Sequence, residues 1–365
     1  MKSVDELLQE MTLEEKISML SGEGLWNTKP VERLGIPSLM LTDGPIGVRK
    51  QTGGQDNIGL QKSVNSTCFP AGTTVACSWD PDLMYEMGKA LGDEAQAQDV
   101  GVLLGPAMNI KRTPLCGRNF EYLSEDPYLT GVLATAYVNG VQSRGVATSL
   151  KHYAANNQEY RRRSVNAVID ERTLREIYLT GFEMTVKNAK PATVMSSYNR
   201  VNGIYASENK YLLHDILRKE WGFEGVVVSD WDATNDHALG LKNGLDLRMP
   251  CLSDKDARDM MAAYQNGIIT EEEIDAAVRR NLTLIKNAIE QHKETQMESE
   301  AHHALVRKIA GESMVLLKNN DHILPLSKTA DIAVIGDMAS NLRYQGGGSS
   351  HVEPYKCDNN LSESR

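Results

Sequence analysis

Alternation is the feature that most constrains how this chain can fold. Short apolar runs recur, each ending in polar or glycine residues and followed by a helical segment. Residues 38–42 run into Asp43-Gly44-Pro45, 100–104 into Gly105-Pro106, and 146–150 into Lys151-His152. Residues 192–196 run into Ser197-Tyr198-Asn199, 225–228 into Ser229-Asp230-Trp231, and the run 244–247 carries Asp246. In the fifth run, Val226, Val227 and Val228 are consecutive β-branched residues, the pattern of a strand buried on both faces. Helices are expected over 81–98, 171–187 and 209–221; in the second, Leu174, Ile177, Tyr178 and Phe182 share one face. Such alternation requires a parallel sheet. A doubly wound open sheet would gather its chemistry at one switch point. Polar ends on six runs instead favour closure into a (β/α)8 TIM-like barrel, whose functional groups sit at the carboxyl rim of the strands.

The chain of 365 residues has room for such a barrel, about 250 residues, and a small addition. The barrel is expected over 1–290, with an amphipathic helix in 1–20 and another over 274–289. A linker and helix follow over 291–311, that helix running from about 302 to 318. Residues 312–365 are expected to be the first part of an α/β sandwich domain, with a strand over 332–336 and a glycine-rich loop over 343–354. One strand and one helix bury too little surface to stand alone, so this second domain is expected to be incomplete.

A net charge of −10, from 39 basic and 49 acidic residues, argues against nucleic acid or an anionic membrane as partner. No apolar run approaches the roughly 20 residues needed to span a bilayer. Acids throughout residues 1–20 argue against a secretory signal. Five scattered cysteines without a C-x-x-C pair argue against a zinc site or a disulfide framework. A cytoplasmic protein without metal or organic cofactor is expected, and the glycosylation patterns at Asn65 and Asn281 read as chance.

A retaining glycosidase needs a carboxylate to attack the anomeric carbon and a second carboxyl group about 5–5.5 Å away to protonate the leaving oxygen. Charged side chains around them fix the sugar hydroxyls. Asp43, Arg118, Lys151, His152, Arg162, Tyr198 and Asp230 are such groups at expected strand ends. Each also has a plainer reading. Asp43 could shape a turn, Lys151-His152 could be a solvated loop, Arg161-Arg162-Arg163 a surface charge run, and Tyr198 and Met195 core packing. His302-His303 reads as surface. Gly346-Gly347-Gly348-Ser349-Ser350 lacks the Lys-Ser/Thr ending of a phosphate-binding P-loop.

Five motifs occur here in one order: Leu-Thr-Asp43-Gly-Pro, Gly117-Arg118-Asn-Phe-Glu-Tyr-Leu-Ser-Glu-Asp126-Pro, Lys151-His152-Tyr-Ala-Ala-Asn-Asn-Gln-Glu, Ala192-Thr-Val-Met-Ser-Ser-Tyr198-Asn and Val228-Ser-Asp230-Trp231. Together they resemble the N-terminal barrel of family-3 glycoside hydrolases, in the β-glucosidase branch. The resemblance implies that Asp230 is the nucleophile of a retaining exo-acting β-glucosidase and that Trp231 lines the subsite. It implies that Asp43, Arg118, Lys151, His152 and Arg162 bind sugar hydroxyls, Tyr198 lies near the nucleophile, and Met195 walls the pocket. The implied substrate is a β-glucoside or short β-linked oligosaccharide. The loop 154–164 has no histidine, unlike the branch that removes N-acetylglucosamine. In the glucosidase branch the acid/base glutamate lies far downstream in the sandwich domain, and Glu353 and Glu363 are poor candidates for it, so the donor is expected to be missing.

Three other readings stay open: a sugar-binding fragment without catalysis, β-xylosidase-type specificity, and a Schiff-base aldolase using Lys151. The aldolase leaves Asp43, Arg162 and Asp230 unexplained.

Overall fold

The computed structural model describes residues 1–359. Five fully parallel strands form the central sheet: β1 (Leu41–Asp43), β2 (Val102–Leu104), β3 (Ala147–Tyr153), β4 (Thr193–Ser196) and β5 (Val226–Ser229). Their order is β5-β4-β3-β2-β1, with Val226 opposite Thr193 and Leu41 opposite Val102. Apart from Ala147 at the start of β3, every strand residue is buried. That is the expected state of a parallel sheet filled inside and covered by helices outside.

The sheet closes on itself through shorter pieces. Residues 245–249 lie parallel to β5: Leu247 N donates to Val227 O at 3.1 Å, and Ser229 N to Leu247 O at 2.9 Å. On their other side Gly22 N donates to Arg248 O, and Arg248 N to Leu20 O. A two-residue hairpin, Gly22–Glu23 against Asn27–Thr28, then carries the ring back to β1, where Leu41 N donates to Trp26 O at 2.7 Å. The expected open-sheet alternative is thereby excluded, and the barrel-like α/β fold stands. The sixth run contributes a bridge and no longer strand, because an antiparallel N-terminal hairpin takes the place beside it. Asp256 fastens this seam: its buried carboxylate accepts from Ser21 Oγ, Arg248 Nη1 and the His237 ring.

The long outer helices begin where Asp-Pro pairs predict a cap. Asp80 and Asp126 each accept two backbone N–H groups and are followed by proline at the first helical position. The expected single helix in 1–20 is two, Val4–Glu10 and Leu13–Ser18. Ser3 with Glu6 and Thr12 with Glu15 form separate capping boxes, and the second cap interrupts the first helix. The helix Glu271–Gln291 packs against both.

After the barrel, a helix spans Ser299–Glu312, ending earlier than expected. No strand forms over 332–336, and Ile332, Val334 and Ile335 are exposed. An apolar β-prone run forms a strand only against a partner, and none lies beside it among the described residues. His302 is not on the surface: its ring is buried and meets Glu94 Oε1 at 2.7 Å, because Glu94 is enclosed in the helix Pro81–Ala97 and needs a partner. The segment 345–355 returns to the barrel rim. Ser66 N donates to Glu353 O, Tyr355 N to Ser66 O, and Val352 is buried under Gly47.

Candidate active site

Every residue proposed from the sequence as a site residue lines one cavity at the carboxyl rim: Asp43, Arg118, Lys151, His152, Arg162, Met195, Tyr198, Asp230 and Trp231. Sequence reasoning did not single out Trp26, Asn57, Leu104 or Ser349, which complete the lining. Trp26 and the loop bearing Asn57 precede or follow β1 without any strand-end signature, so only closure of the ring brings them here. A cleft of about 860 Å³ lies at the opposite end, against the amino ends of β3, β4 and β5, and none of the strand-end groups reaches it.

The strand ends fix these groups. Asp43 is the last residue of β1 and Asp230 the first after β5, so the two carboxylates stand on well-separated strands of the ring. Asp230 N donates to Ser196 O, and Asp230 Oδ1 accepts from Trp231 N at 2.7 Å. Asp230 Oδ2 accepts no hydrogen bond and lies 3.7 Å from His152 Nε2. Burial is the largest influence on this carboxyl and raises its pKa, against the opposing pull of Arg118, the Trp231 N–H, Arg162 and Lys151. The cations favour the charged form, but desolvation outweighs them. The Asp230 carboxylate thus presents to the cavity one oxygen without a hydrogen-bond partner.

Lys151 Nζ donates to Asp43 Oδ1 at 2.6 Å, and both side chains are buried. Burial raises the Asp43 pKa, yet Lys151, Ser349 and Arg118 together overcome it, so Asp43 is held below its ordinary value. The two aspartates thus have environments that push them apart, one fixed as an anion and one destabilised as an anion. His152 is pushed well below its usual value by burial and by Arg118, Lys151 and Arg162, so it is neutral and forms no ion pair with Asp230. Its backbone is clamped by Asn109, whose Oδ1 accepts from His152 N and whose Nδ2 donates to His152 O, both at 2.8 Å.

Arg118 is anchored by Glu121, Nε to Oε1 at 2.5 Å, and Glu121 Oε2 lies 3.8 Å from Lys151 Nζ. Glu121 is a support that the sequence reading passed over although it lies inside one of the quoted motifs. Arg162 is half-buried and part of the cavity lining: its guanidinium lies 4.4 Å above the Tyr198 ring and pairs with Glu159 at 2.8 Å. Tyr198 stands beside Asp230, and burial followed by that carboxylate holds its hydroxyl protonated. Trp231 and Trp26 pack with ring centroids 5.0 Å apart, their indole N–H groups held by Leu25 O and Gln51 Oε1. Met195 is buried and supplies an apolar wall.

The arrangement offers two carboxylates, three cations, a neutral imidazole, a phenol and a paired aromatic wall. Fixed donors and acceptors around a flat apolar surface suit a polyhydroxylated ring. The rim segments cap it closely, leaving a free volume of about 40 Å³. No group of three or more potential metal-ligating side chains is found among the described residues.

The comparisons agree with this geometry. Residues 27–284 match the model of the glycosyl hydrolase family 3 N terminal domain, and 314–364 that of the glycosyl hydrolase family 3 C-terminal domain. The chain is 52% identical over 361 residues to thermostable beta-glucosidase B of Acetivibrio thermocellus, covering 99% of this chain and 48% of that protein. It is 46% identical to an exo-alpha-(1->6)-L-arabinopyranosidase of Bifidobacterium longum, covering 96% of this chain and 47% of that one. Among solved structures, beta-glucosidase 3B of Thermotoga neapolitana in complex with alpha-D-glucose superposes with a TM-score of 0.92 at 40% identity, over 99% of this chain and 53% of the other. The chain spans about half the length of the curated relatives it matches. With both family models matched in order and the strand-end motifs gathered in one cavity, the chain belongs to glycosyl hydrolase family 3.

Proposed function

We propose that this chain carries the sugar-binding barrel and the nucleophile of a retaining, exo-acting β-glucosidase that releases terminal non-reducing β-D-glucosyl residues. The observation that carries the reading is Asp230: buried, its Oδ1 fixed by Trp231 N, its Oδ2 unpartnered and facing the cavity groups. Attack of Oδ2 on the anomeric carbon would form a glycosyl-aspartate, with the departing oxygen taking a proton from an acid. Arg118, Lys151, His152, Arg162 and Asp43 would hold the hydroxyls and tighten on them as charge develops at the ring. No glutamate lines the cavity among the described residues, and Asp43 is committed to Lys151. The acid would then come from outside this lining. Glu353 offers its backbone oxygen to Ser66, and Glu363 lies outside the described residues. A cytoplasmic setting, expected from the five scattered cysteines, belongs to the same proposal.

A mechanism-based 2-fluoroglucoside with a good leaving group tests the nucleophile. Mass spectrometry should find the label on Asp230, because activated leaving groups depart without much acid help. Label on another residue would remove the reading. The beta-glucosidase and arabinopyranosidase names of the relatives leave two ring types in view. The paired Trp26 and Trp231 wall serves either, and β-glucosides are favoured by the 52% relative.

A further inference from the structure

The loop 51–61, which follows β1, carries a cavity residue that the nine strand-end groups do not account for. Asn57 lines the cavity, and its carboxamide enters no hydrogen bond among the described residues. The loop that presents it is built, not loose. Asp56, the preceding residue, folds it by accepting from the backbone N–H groups of Ile58 at 2.8 Å, Gly59 at 2.6 Å and Gln61 at 2.5 Å. The backbone N–H of Asp56 donates to Gln51 Oε1 at 3.0 Å, the same oxygen that holds the Trp26 indole at 2.9 Å. Gly59, at φ +85°, packs so closely on Gly348 that a β-carbon there would collide with the Gly348 carbonyl. Two cavity residues, Asn57 and Ser349, are thereby set on touching backbones.

We propose that Asn57 is a specificity-determining residue whose carboxamide hydrogen-bonds a hydroxyl at the end of the sugar ring opposite the anomeric carbon, the 4- or 6-hydroxyl. The inference rests on the reading of Asp230 as the group under the anomeric carbon. Asp43 and Asp230 stand on well-separated strands of the closed ring, so a sugar over Asp230 turns its far end to Asp43. The 51–61 loop belongs to the Asp43 side. Arg49 N donates to Asp43 O at 3.0 Å, Arg49 Nη2 lies 3.8 Å from Asp56 Oδ1, and Ser349, beside Gly348, lines the cavity together with Asp43. A neutral amide with one donor and one acceptor face fits a hydroxyl there, where the cations already serve Asp43 and Asp230. This end distinguishes glucose from pentopyranoses, which lack the hydroxymethyl group, and from sugars with an axial 4-hydroxyl.

Titration calorimetry of the full chain and of Asn57→Ala with D-glucose, 2-deoxy-, 4-deoxy- and 6-deoxy-glucose tests it. Asn57→Ala should bind D-glucose about three- to tenfold more weakly, with an unchanged melting temperature. The penalty should persist for 2-deoxyglucose and vanish for either the 4-deoxy or the 6-deoxy sugar, since the contact is then already gone. Equal glucose affinity in the variant, the same penalty on all four sugars, or a penalty lost only with 2-deoxyglucose would overturn the assignment. Absence of saturable heat in the unmodified chain would instead remove the sugar site itself, and the inference with it.

Discussion

Lys151 and Asp43 form a buried ion pair at 2.6 Å that joins β3 to β1 across the mouth of the barrel. The pair lies in the cavity, so its two members cannot be exchanged for apolar residues without losing the site. Removing one partner leaves the other charge buried alone. Lys151→Met should cost about 3–5 kcal/mol in chemical denaturation and abolish measurable glucose binding, while Asp43→Asn with Lys151→Met should recover part of the stability and none of the binding. A single variant as stable as the parent would show that water reaches this pair.

Asp230 carries the opposite balance. Its folded pKa is raised, so its ionised form destabilises the fold, and the deficit grows as pH rises through and above the ordinary carboxylate range. Asp230→Asn keeps the shape and removes the charge. The variant should be more stable than the parent at pH 7, a gain that fades as pH is lowered and the parent's carboxyl takes up its proton. Thermal melts of both proteins from pH 3.5 to 8 check this. A variant less stable at pH 7 would mean that the surrounding cations outweigh burial.

The barrel seam predicts the acid limit of the fold. Burial raises the Asp256 pKa, but His237, Ser21 and Arg248 overcome it and the net shift is strongly downward. A lowered folded pKa gives stability that is present above the unfolded value near 4 and is lost as pH falls through the folded one. Asp256→Ala should cost about 3 kcal/mol or more at pH 7, and that cost should begin to shrink only as pH falls below the unfolded carboxylate value near 4. Hydrogen exchange in the variant should rise first at residues 20–24 and 245–249, where the ring is closed by few hydrogen bonds.

Glu94 links three parts of the chain. Its Oε2 accepts from Thr67 N at 2.9 Å and its Oε1 meets the His302 ring at 2.7 Å, all within the fully buried face of the helix Pro81–Ala97. His302→Ala should leave that carboxylate without its side-chain partner and cost about 2–4 kcal/mol in urea unfolding. Limited proteolysis should cut first within 291–312, the stretch released from the barrel. Unchanged proteolysis would show that apolar contacts such as buried Ile309 suffice to hold this helix.

Strand–helix alternation and the polar ends of the apolar runs were readable in the chain because they follow from local periodicity. A strand buried on both faces must be continuously apolar, and its side chains must change character where it meets solvent. That logic located Asp43, Lys151, Tyr198 and Asp230, and the family resemblance gave Arg118 and Arg162 their roles. Only the tertiary structure decided how the ring closes, since the hairpin 22–28 and the bridge at 245–249 are too short to show a period. It also decided the cavity's other walls. Trp26, Asn57 and Ser349 reach the site from segments far apart in sequence, and His302 is buried only because Glu94 waits for it. The balance at Asp230 was beyond the sequence for the same reason. Desolvation depends on everything packed around a carboxylate, whereas a list of charged neighbours counts only the attractions.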